Sequence, residues 1–238
     1  MSKASSPRIT AALHVHTIYS PCAETKLEEI PGFCREKGID VIAIADHDTI
    51  AGALELKATA EGLRVIVCEE VLTAHGEIIG MFLHDEIEPG QSAVETCEQI
   101  KAQGGLVCIP HPFDPLKIRR LRRKALMEVL DYVDIIEVFN AKLNLPVFNI
   151  VAAKFAFDYG KAGAAGSDAH YLQAIDVCTN EMNDFSTPEE FLVNLHAARL
   201  TTHRAYPMRT WWIGIKNALR GEGHHLKRHG RKPPDRRR

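Results

Sequence analysis

Seven short apolar runs, rich in Val, Ile and Ala, alternate along this chain with longer stretches that have helical patterns. The runs are ALHVHT, DVIAIAD, RVIVCEEVL, EIIGMFL, GLVCIPH, VDIIEVFN and AGAAGSD. They are apolar on both faces, which is typical of strands buried inside a parallel sheet. Strands that alternate with helices in this way favour a parallel α/β barrel.

Two local patterns refine this expectation. The stretch LEEIPGFCREKG has a charged last turn and ends at Gly38, which predicts the end of a helix. The runs RVIVCEEVL and EIIGMFL are separated only by TAHG, which is too short for a crossover helix. We therefore expect these two strands to form an antiparallel hairpin.

Composition indicates a globular protein with an ample core. The 238 residues are 45% hydrophobic and 25% charged, which suits one large α/β domain or two small ones. No apolar run approaches the roughly 20 residues of a membrane helix, and the N-terminal MSKASSPRIT lacks the apolar core of a secretory signal. We therefore expect no membrane partner. The six cysteines are scattered without a C-x-x-C pair, so we also expect reduced thiols and a cytoplasmic location.

Charge is unevenly distributed along the chain. The whole chain has a net charge of −2, whereas residues 214–238 contain nine Lys/Arg and two Asp/Glu, a net charge of +7. The sequence predicts a barrel domain over residues 1–213, followed over 214–238 by a C-terminal helix and a basic, disordered tail. The tail either contacts nucleic acid through its charge or is a solvated extension of no specific role.

Potential metal ligands follow nearly every predicted strand. They include His14, His16, Asp46, His47, Asp48, Glu70, His111, Glu137, Asn140, Asp168 and His170. His14 and His16 are two residues apart, so both would face the same side of a strand. A mixture of imidazoles and carboxylates suits Zn²⁺, Mn²⁺ or Fe²⁺, and the set exceeds the needs of one ion. A carboxylate that bridges two ions would allow a cluster.

The motifs around these residues resemble those of the PHP family, named for polymerase and histidinol phosphatase. They are His-Val-His-Thr at 14–17, Ile-Ala-Asp-His-Asp at 44–48, Glu-Glu-Val at 69–71, His-Pro at 111–112 and Gly-Ser-Asp-Ala-His at 166–170. The resemblance implies a distorted (β/α)7 TIM-like barrel with a trinuclear metal site that hydrolyses phosphate esters.

The resemblance also implies three metal positions. The first would use His14, His16, Glu70 and Asp168, the second Glu70 and His111, and the third His47 and His170. Two positions depart from the family pattern. Pro21-Cys22 stands where many relatives have an Asp or His, and Glu77 stands near the place of a usual His. Because a thiolate and a carboxylate can both ligate, Cys22 and Glu77 join the candidate ligands of two or three divalent ions, Zn, Mn or Fe.

The implied reaction is hydrolysis of a phosphomonoester or phosphodiester by a metal-activated water. The candidate catalytic residues are His47, His170 and Asp168, and the candidate phosphate-binding residues are Lys117, Arg119 and Arg120. Either histidine could protonate the leaving group when it is not bound to metal. The expected substrate is a phosphorylated small molecule, a nucleotide or an oligonucleotide.

Two other readings stay open. An amidohydrolase also places H-x-H on its first strand, but it would usually add a metal-bridging lysine and lack the Asp168-x-His170 pair. Alternatively, a degenerate barrel could keep metal for structure or for binding nucleic acid without catalysis. Pro21 and the basic tail favour that second reading, whereas the nearly complete ligand set opposes it.

Overall fold

A closed seven-stranded barrel dominates the computed structural model, which describes residues 7–143 and 145–203. Its strands are β1 (Arg8–Val15), β2 (Val41–His47), β3 (Arg64–Thr73), β4 (Gly76–Met81), β5 (Leu106–Ile109), β6 (Val133–Asn140) and β7 (Ala162–Ala169). Strand β1 pairs with both β2 and β7, and this double pairing closes the barrel. The predicted α/β barrel is confirmed.

The barrel is mixed rather than wholly parallel. Strand β4 runs antiparallel to β3, from which it is separated by a two-residue turn at Ala74 and His75, and it also runs antiparallel to β5. The predicted hairpin is therefore confirmed, and β4 is the antiparallel strand of the barrel. A turn of this length cannot carry the chain back across the sheet, so β4 must reverse direction.

Helices cover the outside of the barrel. The described part of the chain contains the α-helices α1 (Ile30–Lys37), α2 (Ala51–Thr59), α3 (Ala93–Ala102), α4 (Arg123–Glu128), α5 (Val147–Asp158) and α6 (Pro188–His196). Short 3₁₀ helices span Leu27–Glu29 and Leu172–Val177. Helix α1 ends as predicted at Gly38, whose φ of 67° is left-handed and suits a residue without a Cβ.

Two further strands, β8 (Cys178–Asn183) and β9 (Arg199–Thr202), extend the sheet beyond the barrel. Strand β8 pairs antiparallel with Arg8 to Ala11, in the N-terminal half of β1, while β7 pairs with the C-terminal half. The buried Asn180 amide fills this fork, donating to the Ala165 carbonyl at 2.8 Å and accepting from the Ala165 N–H at 2.9 Å. Strand β8 was not predicted, because its residues alternate between buried and partly exposed rather than being apolar on both faces.

Helix α6 closes the N-terminal end of the barrel. Phe191 on this helix is fully buried, and its ring packs edge-on against those of Phe82 and Phe185, with centroids 5.3 and 5.0 Å away. This apolar plug leaves the C-terminal ends of the strands as the open end, where barrel enzymes place their chemistry.

No helix among the described residues is long and apolar enough to cross a bilayer. The basic stretch 214–238 lies outside the described residues, as do residues 204–213. The division of the chain into residues 1–213 and 214–238 stays a prediction.

Replacing Phe191 by Ala should lower the free energy of unfolding by about 3–5 kcal/mol, because the small side chain leaves a cavity in the plug. Urea denaturation followed by circular dichroism measures this loss. Val193 lies on the same helix but is 68% exposed, so Val193→Ala should change stability by no more than about 0.5 kcal/mol. Equal losses in the two variants would contradict a plug centred on Phe191.

Candidate metal centre

The predicted ligands converge at the open end of the barrel. Seven of them are no more than 7% exposed, namely His14, His16, Glu70, Glu77, His111, Asp168 and His170. His47 and Cys22 are only partly buried. The structure thus brings side chains from six of the seven barrel strands, or from the loops that follow them, into one pocket.

The approach of His14 and His16 depends on a bulge in β1. His14 has a left-handed φ of 59°, and the pairing of β1 with β2 and β7 shifts register around it. His16 follows the strand, which ends at Val15. As a result, the two Nε2 atoms lie 3.1 Å apart. The sequence prediction assumed that side chains alternate regularly along a flat strand. In the structure, a bulge instead redirects the His14 side chain.

Two other candidate ligands also have left-handed backbones. Asp168 has a φ of 48° and His111 a φ of 30°. Such conformations cost free energy in residues other than glycine and are concentrated at functional sites. Contacts with the surrounding structure must therefore offset the free-energy cost of these two backbone conformations.

The first predicted metal position is compact. Glu70 places Oε1 3.5 Å from His14 Nε2 and Oε2 3.4 Å from His16 Nε2. Asp168 Oδ1 lies 3.6 Å from His16 Nε2 and 4.0 Å from His14 Nε2. Two imidazole nitrogens and two carboxylates therefore face a common point.

Glu70 also lies beside the residues expected at the second position. His111 Nε2 lies 3.3 Å from Glu70 Oε1 and 3.8 Å from Glu77 Oε2. Burial and the nearby Glu70 carboxylate raise the pKa of Glu77 to about 7. Because Glu77 points at the same space as His111, it can supply a carboxylate ligand there.

The third position is rich in imidazole. The His16 ring lies with its centroid 4.5 Å from that of His47 and 4.4 Å from that of His170. The Cys22 thiol lies near enough to His170 and His47 for both to influence its ionisation. Burial alone would raise its pKa, but His170 and His47 lower the pKa of Cys22 to about 4. A thiolate is therefore available beside two imidazoles.

This donor set fits divalent metal ions. The buried Glu70 Oε1 and His47 Nδ1 atoms have no hydrogen-bond partner among the described residues. Burial alone would raise the pKa of Glu70, but the imidazoles of His14, His47 and His111 hold it well below its usual value. Buried polar atoms without a partner cost free energy, and binding of a cation would remove that cost. A set of nitrogen and oxygen donors with one sulfur suits Zn, Mn or Fe.

Glu137, at the end of β6, holds His14 in place. His14 Nδ1 donates to Glu137 Oε1 at 2.8 Å, so Nε2 is left free to face the pocket. The other oxygen, Oε2, accepts from the backbone N–H of His111 at 2.7 Å and from Asn140 Nδ2 at 2.8 Å. A carboxylate that orients a metal-binding histidine is a common supporting element of metal sites. The sequence placed Glu137 and Asn140 among the potential metal ligands, whereas in the structure Glu137 supports His14 and Asn140 donates to Glu137.

Asp46 does not face the metal pocket. Its carboxylate accepts from the Thr17 N–H and Thr17 hydroxyl at 2.7 Å and from the Ser20 hydroxyl at 2.6 Å. Asp46 thus fixes the loop that follows β1 and carries His16. Of the Asp-His-Asp motif at 46–48, only His47 enters the pocket, since Asp48 accepts from the Leu72 N–H.

Cationic side chains line one side of the pocket. Lys117 and Lys142 bind the two oxygens of Asp168, and Lys142 Nζ also lies 3.1 Å from His170 Nε2. Arg119 Nη1 lies 3.7 Å from Glu77 Oε1. Arg120 instead donates from Nη1 to the Lys117 carbonyl at 3.4 Å, so it braces the loop. Three of these four cations therefore reach the carboxylates of the centre.

Gly166→Ala tests the role of Glu137. A Cβ at Gly166 would lie 1.6 Å from Glu137 Oε1, so the carboxylate must move and release His14. We expect metal affinity, measured by chelator competition, to fall by about 10- to 100-fold. Gly163→Ala is the control on the same strand, because its Cβ would meet only Val138 methyl groups at 3.1 Å. Unchanged metal affinity in Gly166→Ala would contradict the proposed support of His14.

Solved structures of low sequence identity share this fold. A two-domain protein from Bacteroides vulgatus, described as containing a PHP-like metal-dependent phosphoesterase, has a TM-score of 0.68 at 15% identity, over 87% of this chain and 70% of that one. A lesion-specific endonuclease from Pyrococcus furiosus has a TM-score of 0.59 at 14% identity, over 82% and 58%. An amidohydrolase from Chromobacterium violaceum has a TM-score of 0.52 at 17% identity, over 68% and 87%.

Sequence comparison identifies relatives and a family. Two uncharacterized proteins of Methanocaldococcus jannaschii are similar to this chain. One is 38% identical over 156 residues, 60% of this chain and 88% of the relative. The other is 35% identical over 190 residues, 76% of each. The family model for the PHP domain matches residues 12–109, and that for the PHP-associated region matches residues 146–200. The chain therefore belongs to the PHP family.

Proposed function

We propose that this protein is a hydrolase of phosphate esters that uses a water activated by two or three divalent metal ions, Zn, Mn or Fe. The observation that supports this most strongly is the position of Glu70. Its two carboxylate oxygens lie 3.1–3.5 Å from nitrogens of His14, His16, His47 and His111. A buried carboxylate among four imidazoles is suited to bridge two cations.

Bound ions would lower the pKa of a coordinated water and neutralise charge on the phosphate. The protein residues would then position the ester. Lys117 and Lys142 lie beside Asp168 and would donate hydrogen bonds to the non-bridging phosphate oxygens. A ring N–H of His47 or His170, whichever is not bound to metal, would donate a proton to the leaving oxygen.

The proposed substrate is a phosphorylated small molecule, a nucleotide or an oligonucleotide. Lysines that bind a phosphate beside a metal cluster favour a group with high negative charge, such as a phosphomonoester. The six cysteines are all unpaired, which supports the cytoplasmic location expected from the sequence.

The geometry argues against the amidohydrolase reading. A metal-bridging lysine is expected there, whereas the group among the imidazoles in this pocket is Glu70, and Lys117 and Lys142 direct their ammonium groups at Asp168. The second alternative, a barrel that binds metal without catalysis, is distinguished by assay.

Activity should depend on the first metal position. Full-length protein loaded with Mn²⁺ should hydrolyse p-nitrophenyl phosphate or its bis ester, and His14→Ala and Asp168→Ala should each abolish turnover because each removes a ligand. The exposed His84 lies outside the pocket, so His84→Ala is the matched control and should retain full rate. If no metal supports hydrolysis of any phosphate ester, the non-catalytic reading is correct.

Cys22 should act as a metal ligand at the third position. Protein loaded with Co²⁺ should show a thiolate-to-cobalt charge-transfer absorption band, which Cys22→Ser should remove because the sulfur donor is lost. The buried Cys34 provides the control, since burial raises the pKa of its thiol to about 12 and Cys34→Ser should leave the band unchanged. A band that persists in Cys22→Ser would exclude the thiolate from the centre.

A further inference from the structure

The loop after β5 carries a dense row of positive charge out of the metal centre. Residues 117–124 read Lys-Ile-Arg-Arg-Leu-Arg-Arg-Lys, six cations in eight positions, and are called the basic track below. Its first residue contacts Asp168 inside the pocket, and Arg119 lies 3.7 Å from Glu77. Its last three residues are exposed at the start of α4. The track therefore connects the buried ligands with the outer surface.

The backbone of the basic track is fixed against the β3–β4 hairpin. The Glu77 N–H donates to the Arg119 carbonyl at 2.7 Å, and the Arg122 N–H donates to the His75 carbonyl at 3.0 Å. Leu121 is fully buried between them. The cations thus project from an ordered backbone, so less conformational entropy is lost when a ligand binds them.

Most of the charge at the outer end is available to a ligand. Among the described residues, Arg122 and Arg123 form no ion pair. Lys124 approaches Glu128 at 3.8 Å, but both side chains are at least half exposed, and such pairs contribute little free energy. Leu116 and Ile118 are 61% and 94% exposed, so apolar side chains flank the inner cation of the track.

We propose that the basic track binds the backbone of a single-stranded nucleic acid whose terminal phosphate lies at the metal centre. A small phosphate ester would reach only the inner cations Lys117, Arg119 and Lys142, whereas a chain of phosphates would engage Arg122 and Arg123 as well. A single strand fits because the candidate ligands are recessed, at no more than 7% exposure for seven of them. Leu116 and Ile118 would contact the bases. This inference rests on the proposed phosphoesterase function.

The test is Arg122→Ala/Arg123→Ala in the metal-loaded full chain. Its probe is a short fluorescent single-stranded oligonucleotide with a phosphorothioate backbone, which resists hydrolysis. Fluorescence anisotropy should show affinity reduced about tenfold near 0.1 M salt and a salt slope smaller by about 1.4, since each lost phosphate contact in a single strand removes about 0.7. Hydrolysis of p-nitrophenyl phosphate should be unchanged, because both arginines lie outside the centre.

The matched control is Arg35→Ala/Lys57→Ala, which removes the same charge from the exposed last turns of α1 and α2, at the opposite end of the barrel. It should leave affinity and salt slope nearly unchanged. Equal weakening in both double variants would overturn the basic track as a specific surface. So would unaltered binding in Arg122→Ala/Arg123→Ala combined with loss on deletion of residues 222–238, which would assign binding to the C-terminal tail.

Two further outcomes separate the inference from the proposed function. If the variant protein loses binding to vesicles that contain phosphorylated inositol lipids while wild type never binds the oligonucleotide, the track is a lipid surface and the nucleic-acid inference is wrong. If wild type binds the oligonucleotide through the track but hydrolyses no phosphate ester, the proposed function fails while the binding surface stands.

Discussion

The burial of four carboxylates at one end of the barrel is the constraint on which the rest of the structure depends. Glu70, Glu77, Glu137 and Asp168 are all below 5% exposure. An isolated buried charge costs several kcal/mol, so each of these groups needs a cationic or hydrogen-bonding partner. The chain supplies imidazoles around Glu70, lysines on Asp168 and three donors on Glu137. This mutual pairing explains why so many polar residues meet in one place.

The same constraint explains the irregular backbone. In a regular strand, the direction of the His14 side chain would follow from simple alternation. Here the left-handed conformation of His14 and the shifted register bring its side chain towards His16. Asp168 is redirected by a comparable irregularity in β7, where the pairing with β1 also shifts. The local cost of these conformations is offset by the pairing of charge that they allow. Gly166 contributes by leaving room for Glu137, which a methyl group would displace.

Much of the fold could be predicted from the sequence, because strands that are apolar on both faces leave a clear pattern. The hairpin between β3 and β4 followed from the length of its turn. Strand β8 could not be predicted, because its residues alternate between buried and partly exposed and so lack the continuous apolar run of the barrel strands. In the candidate centre, the ligand types were visible as motifs at strand ends. The supporting roles of Asp46 and Glu137 could not be predicted, because they depend on the direction in which each side chain leaves the backbone.

The central claim is that these side chains share divalent cations. Anomalous X-ray scattering from crystals grown with Mn²⁺, collected on both sides of the manganese absorption edge, measures this directly. Strong peaks are expected among His14, His16, Glu70 and Asp168, and among Glu70, Glu77 and His111. Crystals that show no peak within bonding distance of Glu70 would contradict the central claim.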